Sequence, residues 1–125
     1  MSKDIMELVL PRMAQRLDRQ LRRYRAGELD DDQFTEKFEV LLQQQYAWLS
    51  DKGVAELDAA VMIHGAVLVL SGPGLRAEAE EQGVPLEIVE YQAARSAAED
   101  ISENYDVSEK RAFRRISKII ARYAD

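Results

Sequence analysis

The chain has no cysteine, which excludes disulfides, thiolate metal sites and cysteine nucleophiles together and points to a reducing compartment. It has one histidine, His64, so a histidine-rich metal site is excluded and a Ser-His-acid triad would have to be built around that single residue. The Glu-x-x-His pair of helical di-iron proteins is missing too, because the position three before His64 is Val61. Long apolar runs are also absent. The most apolar stretch, Ala59 to Leu70, spans twelve residues, against the roughly 20 that a membrane-crossing helix needs. From Met1 to Leu10 the apolar residues are interrupted by Lys3, Asp4 and Glu7, which is not the pattern of a secretory signal. The expectation is a cytoplasmic protein with no membrane partner.

What the chain does have is charge, sorted along its length. Residues 1–27 carry seven Lys or Arg against three acids, residues 28–106 carry four against eighteen, and residues 107–125 carry six against two. Two basic ends of +4 each flank an acidic centre of −14, for a net charge of −6. Uniform acidity would speak only to solubility, whereas sorted charge points to electrostatic pairing, inside the fold or with a partner. With 46% hydrophobic and 32% charged residues the chain is globular and not a disordered tail. Its 125 residues suit one domain, spanning 1–125, with one core.

Helical periodicity runs through most of the chain. Leu10, Met13, Leu17, Leu21 and Tyr24 recur at three- and four-residue steps, with Arg12, Arg16, Arg19 and Arg23 on the opposite face. This predicts a helix from about Pro11 to Arg25 with a helical lead-in, Pro11 marking either its start or a kink. Gly27 offers a left-handed stop, and Asp30, Asp31 and Asp32 supply a cap and first turn for a second helix to about Ser50. Phe34, Phe38, Leu41, Leu42, Gln45, Trp48 and Leu49 share its broad inner arc. A third helix is read from Val54 to Leu70. Its alanines favour helix, while Val61, Val67 and Val69 leave a strand as the alternative. Ser71-Gly72-Pro73-Gly74 reads as a turn, followed by a short helix from about Leu75 to Gln82. A fifth helix runs from about Pro85 to Asn104, and a sixth, capped by Ser108, reaches Tyr123. The fold class expected is all-α: a single compact bundle of five to six helices around a central apolar helix at about 54–70.

Candidate sites follow from the charged faces. The C-terminal helix pair, with its turn at Tyr105-Asp106-Val107, resembles a DNA-binding helix-turn-helix over about 25 residues. Ser102 stands where the helices meet, Asp106 where glycine is usual, and Arg115 where an apolar residue is expected, with Ile116 one place off. That resemblance implies phosphate and base contacts from Lys110, Arg111, Arg114, Arg115 and Lys118. The acidic centre argues against it, since carboxylates repel DNA. The leading reading is therefore a non-enzymatic protein-interaction module. Its acidic central surface, with Glu90 and Asp100 on the fifth helix, would meet a basic protein partner or the basic terminal helices of a second copy, among them Arg12, Arg16, Arg19 and Arg23. Nucleic acid is the alternative partner. No cofactor or metal is expected: Asp30 to Asp32 lack the spacing of a calcium loop, Glu99 and Glu103 lack a third ligand, and Gly72 and Gly74 are not followed by the Lys-Ser/Thr of a phosphate-binding loop.

Overall fold

A computed structural model describes residues 5–124; Lys3 and Asp4, which interrupt the N-terminal apolar residues, lie outside that range. The all-α expectation holds. Among the described residues there are six helices and no strand: α1 (Met6–Arg25), α2 (Asp31–Asp51), α3 (Glu56–Leu70), α4 (Gly72–Gln82), α5 (Leu86–Asn104) and α6 (Glu109–Tyr123). Contacts group the chain into two units, Met1–Ala59 and Ala60–Asp125, divided inside α3.

In the first unit α1 packs on α2. Helix α1 starts five residues before Pro11 and runs through it. An interior proline opposes helix by about 3 kcal/mol, but Met6, Val9 and Met13 are all buried, so one apolar stripe continues across the proline and burial of the flanking turns outweighs the missing N–H. Tyr24, expected on the buried stripe, is 39% exposed. Its ring lies against Phe34 and its hydroxyl donates to the Asp31 carboxylate at the head of α2. Between the two helices Gly27 adopts φ +79°, the left-handed conformation read from the sequence. Asp30 then caps α2 reciprocally: its carboxylate accepts from the Gln33 N–H at 2.8 Å, while the Gln33 side chain accepts from the Asp30 N–H at 2.9 Å.

Helix α3 forms as helix and not as strand. It holds more buried apolar side chains than any other helix described, namely Ala59, Ala60, Val61, Ile63 and Ala66. It ends where the Ser71 hydroxyl donates to the Val67 carbonyl at 2.6 Å. The Gly72-Pro73-Gly74 stretch, read as a turn, is instead the first turn of α4, set off from α3 by a bend of 60°. The reason is local: first-turn N–H groups have no intrahelical acceptor, so proline loses nothing there. Among the described residues no single helix is long and apolar enough to cross a membrane. Gly83, at φ +70°, closes α4.

In the second unit α4 and α6 both pack on α5. Helix α6 buries Ala112 and Ile116 completely and touches α5 through an edge-on pair of Tyr91 and Phe113, 5.3 Å between centroids. On its other shoulder Ile119 lies against Gly65 of α3, so closely that a Cβ at Gly65 would stand 2.8 Å from Ile119 Cγ2. Gly65→Ala is therefore expected to lower stability by about 1–3 kcal/mol, because a β-branched neighbour in a helix has little rotamer freedom to yield. Urea denaturation followed by circular dichroism measures this. Adding Ile119→Ala to Gly65→Ala should recover part of the loss due to the clash, which a double-mutant cycle would reveal.

Candidate interaction surfaces

The basic residues of α1 do not form the uniform solvated face that their spacing implies. Arg12 is half-buried, its guanidinium 4.4 Å from the centre of the Trp48 ring on α2, with the Lys52 ammonium 5.6 Å from the same ring. Arg16 leans back on α1, donating to the Arg12 carbonyl at 3.4 Å. Arg23 pairs with Glu28 at 3.5 Å. Arg16 and Arg19 line a cleft between α1 and α2. The ion pairs seen at this end are local ones, with Asp18 held by Arg22. Asp30 is committed to its helix cap and Asp31 accepts from Tyr24.

The acidic pair on α5 is also partly engaged. Asp100 Oδ2 lies 3.3 Å from His64 Nε2 on α3, and Glu90 is half-buried with no ion pair among the described residues. The sequence could not place His64 beside Asp100, since the two are 36 positions apart and only the packing of α5 near α3 joins them. His64 is itself half-buried. Burial pushes the imidazole below its usual 6.5, and the Asp100 carboxylate opposes that shift. Among the described residues no group of three or more histidine or acidic side chains is arranged to hold a metal.

Helix α6 is different. Lys110, Arg111, Arg114 and Lys118 are all exposed, and none has an ion-pair partner among the described residues. At 1.5 Å per residue, Lys110, Arg114 and Lys118 stand about 6 Å apart in a row, with Arg111 beside them. Arg115, named with them on sequence grounds, is half-buried on the flank. The row borders a shallow trough formed by Phe113, Ser117 and Ala121, so this face combines charge with apolar surface. Its N-terminal end is not purely basic. Glu109 pairs with Arg95 of α5 at 3.4 Å, and Glu103 and Asp106 are exposed close by in sequence.

No protein-family model matches the chain, nor does any curated protein or solved structure.

Two measurements probe these contacts. Arg12→Ala is expected to destabilise the α1/α2 pair by about 1 kcal/mol, and Arg12→Lys by less, as stacking on a partly desolvated ring is lost or weakened. The single tryptophan makes fluorescence-detected unfolding a direct readout. For His64 the folded chain binds fewer protons than the unfolded one between its lowered value and 6.5, so the stability linked to it is complete above 6.5 and declines as pH falls through that window. His64→Gln should flatten this part of the pH profile, and Asp100→Asn should steepen it by removing the attraction that favours the charged ring.

Proposed function

We propose that the chain is a non-enzymatic protein-interaction module whose docking surface is the cationic face of α6 and whose occupant is a second copy of the chain. The observation that carries this reading is the row of Lys110, Arg111, Arg114 and Lys118, exposed and without an ion-pair partner among the described residues in a protein of net charge −6. A helix must present something polar to water, but four neighbouring cations repel one another, and an acidic surface removes that repulsion. The chain offers one on the same unit: Glu78, Glu80 and Glu81 of α4 are exposed and have no ion pair among the described residues. In a two-fold pair, α6 of each copy against α4 of the other forms the complementary contact twice. The Phe113 and Ala121 trough supplies apolar area that a purely ionic contact lacks.

This moves the acidic half of the contact from Glu90 and Asp100 on α5, where Asp100 faces His64, to the glutamates of α4. Nucleic acid is the other class of polyanion that suits such a row. What weighs against it is the acidic stretch that leads into α6, with Glu103 and Asp106 exposed and Glu109 in the first turn, the end that a helix-turn-helix directs to base edges.

Sedimentation velocity tests the proposal. The chain should self-associate at about 50 mM salt and dissociate toward about 200 mM or above, as exposed charge is screened. Reversal of Lys110, Arg114 and Lys118 to Glu should abolish self-association, as should reversal of Glu78, Glu80 and Glu81 to Lys in a separate variant. Mixing a basic-reversed chain with an acidic-reversed one tests specificity, since opposite charges then face each other at both contacts and a heterodimer should form although neither variant self-associates. A monomer at the lower salt, or tight salt-sensitive binding of duplex DNA by fluorescence anisotropy, would sink the self-association reading; the second result would promote nucleic acid in its place.

A further inference from the structure

The cleft between α1 and α2 has a composition that the α6 surface does not share. Arg16, Arg19 and Gln20 of α1 and Lys37 and Gln44 of α2 surround it, Leu41 contributes to its wall, and no carboxylate lines it. The three cations approach from two helices, and none has an ion-pair partner among the described residues. Converging like charges in a concave, partly apolar site raise the local positive potential well above that of a flat surface carrying the same residues. Gln20 also lines the cleft, and an amide carries two N–H donors that an anion's oxygens can accept from.

Size and charge narrow the ligand. The cleft holds about 260 Å³, below the roughly 300–1,000 Å³ of pockets for drug-sized molecules, so it fits a compact ion or one terminal group of a larger molecule. A carboxylate brings a single negative charge and leaves two of the three cations uncompensated. A phosphodiester inside a nucleic-acid strand also brings only one. A phosphate monoester carries about −1.5 to −2 near neutral pH together with three acceptor oxygens, and guanidinium forks accept that geometry two bonds at a time while a lysine contributes a point charge.

We infer that the α1/α2 cleft is a binding site for a phosphate monoester group, with Arg16, Arg19 and Lys37 as its charge-bearing residues and Gln20 as an added donor. It is independent of the α6 surface: its residues belong to the other unit. The group can belong to a free small molecule or to the headgroup of an anionic lipid such as phosphatidic acid.

The test compares the wild-type chain with Lys37→Gln and, separately, Arg19→Gln. Thermal unfolding followed by Trp48 fluorescence is measured with inorganic phosphate and with sodium chloride at matched ionic strength. Binding is measured in parallel by co-sedimentation with phosphatidylcholine vesicles, with and without phosphatidic acid. Phosphate stabilises many proteins by exclusion from their surface, so the comparison between variants carries the result. Phosphate should raise the wild-type midpoint beyond the chloride control, and each substitution should weaken phosphate affinity about tenfold or more, the scale of one lost charge-assisted bond. In the absence of phosphate each variant should be as stable as the wild type or slightly more so, because a repelling charge has been removed. Binding only to vesicles with phosphatidic acid, lost in both variants, supports the same site with a lipid source. No phosphate-specific effect in either assay, an effect retained in both variants, or variants less stable than the wild type without ligand would each overturn the assignment. The last outcome would make the cations structural.

Discussion

Seating α6 depends on a missing side chain. Gly65 leaves α3 bare where Ile119 comes down on it, and that contact, together with the burial of Ala112 and Ile116, sets the rotation of α6 about its own axis. Once the rotation is set, the opposite face has no choice of direction: Lys110, Arg111, Arg114 and Lys118 point to solvent because the helical period puts them there. The Tyr91–Phe113 pair reinforces the same rotation from α5. A packing constraint on one shoulder of the helix thus determines the electrostatic character of the other.

Charge sorting along the chain does little for stability within the described ion pairs. Arg22–Asp18, Arg23–Glu28, Arg95–Glu99 and Arg95–Glu109 join residues that are neighbours in sequence or lie on adjoining helices, with much of each side chain in water. Exposed pairs of this kind contribute about 0–1 kcal/mol each. Arg12 is more consequential, because stacking on Trp48 ties α1 to α2 through contact that water competes with less. Of the other described cations, Arg16, Arg19 and Lys37 gather in the cleft between α1 and α2, and Lys110, Arg111, Arg114 and Lys118 on the ridge of α6. Both are concentrated enough to attract an anion.

The helices were legible because their signals are local. Gly27, the cap at Asp30 and Ser108 each act within one turn of chain, and each is found as its residue type implies. Two readings differ from the structure, one for a tertiary reason and one for a local one. Pro11 reads as either the start of the helix or a kink after a helical lead-in; Met6 and Val9 bury on the same stripe as Met13 and carry the helix across it. The Gly-Pro-Gly stretch reads as a turn, yet a first helical turn tolerates all three residues. Gln45 shows the opposite pattern: its place in the inner arc of α2 was legible and it is fully buried, but both its amide atoms lack a protein partner, which periodicity could not reveal. Lys37 gave no sequence signal at all, because its significance lies in the α1 arginines facing it.

The sequence alone determined that this protein is all-α, where most of its helices begin and end, and which residues form its charged stripes. Those properties follow from backbone hydrogen bonding and a 3.6-residue period, which act over a few residues. Tertiary structure decided which charges remain free. It set Arg12 on Trp48, Asp100 beside His64, and Arg16 and Arg19 across from Lys37. Each of these pairings joins residues from different helices, and their separation in space depends on how the helices dock.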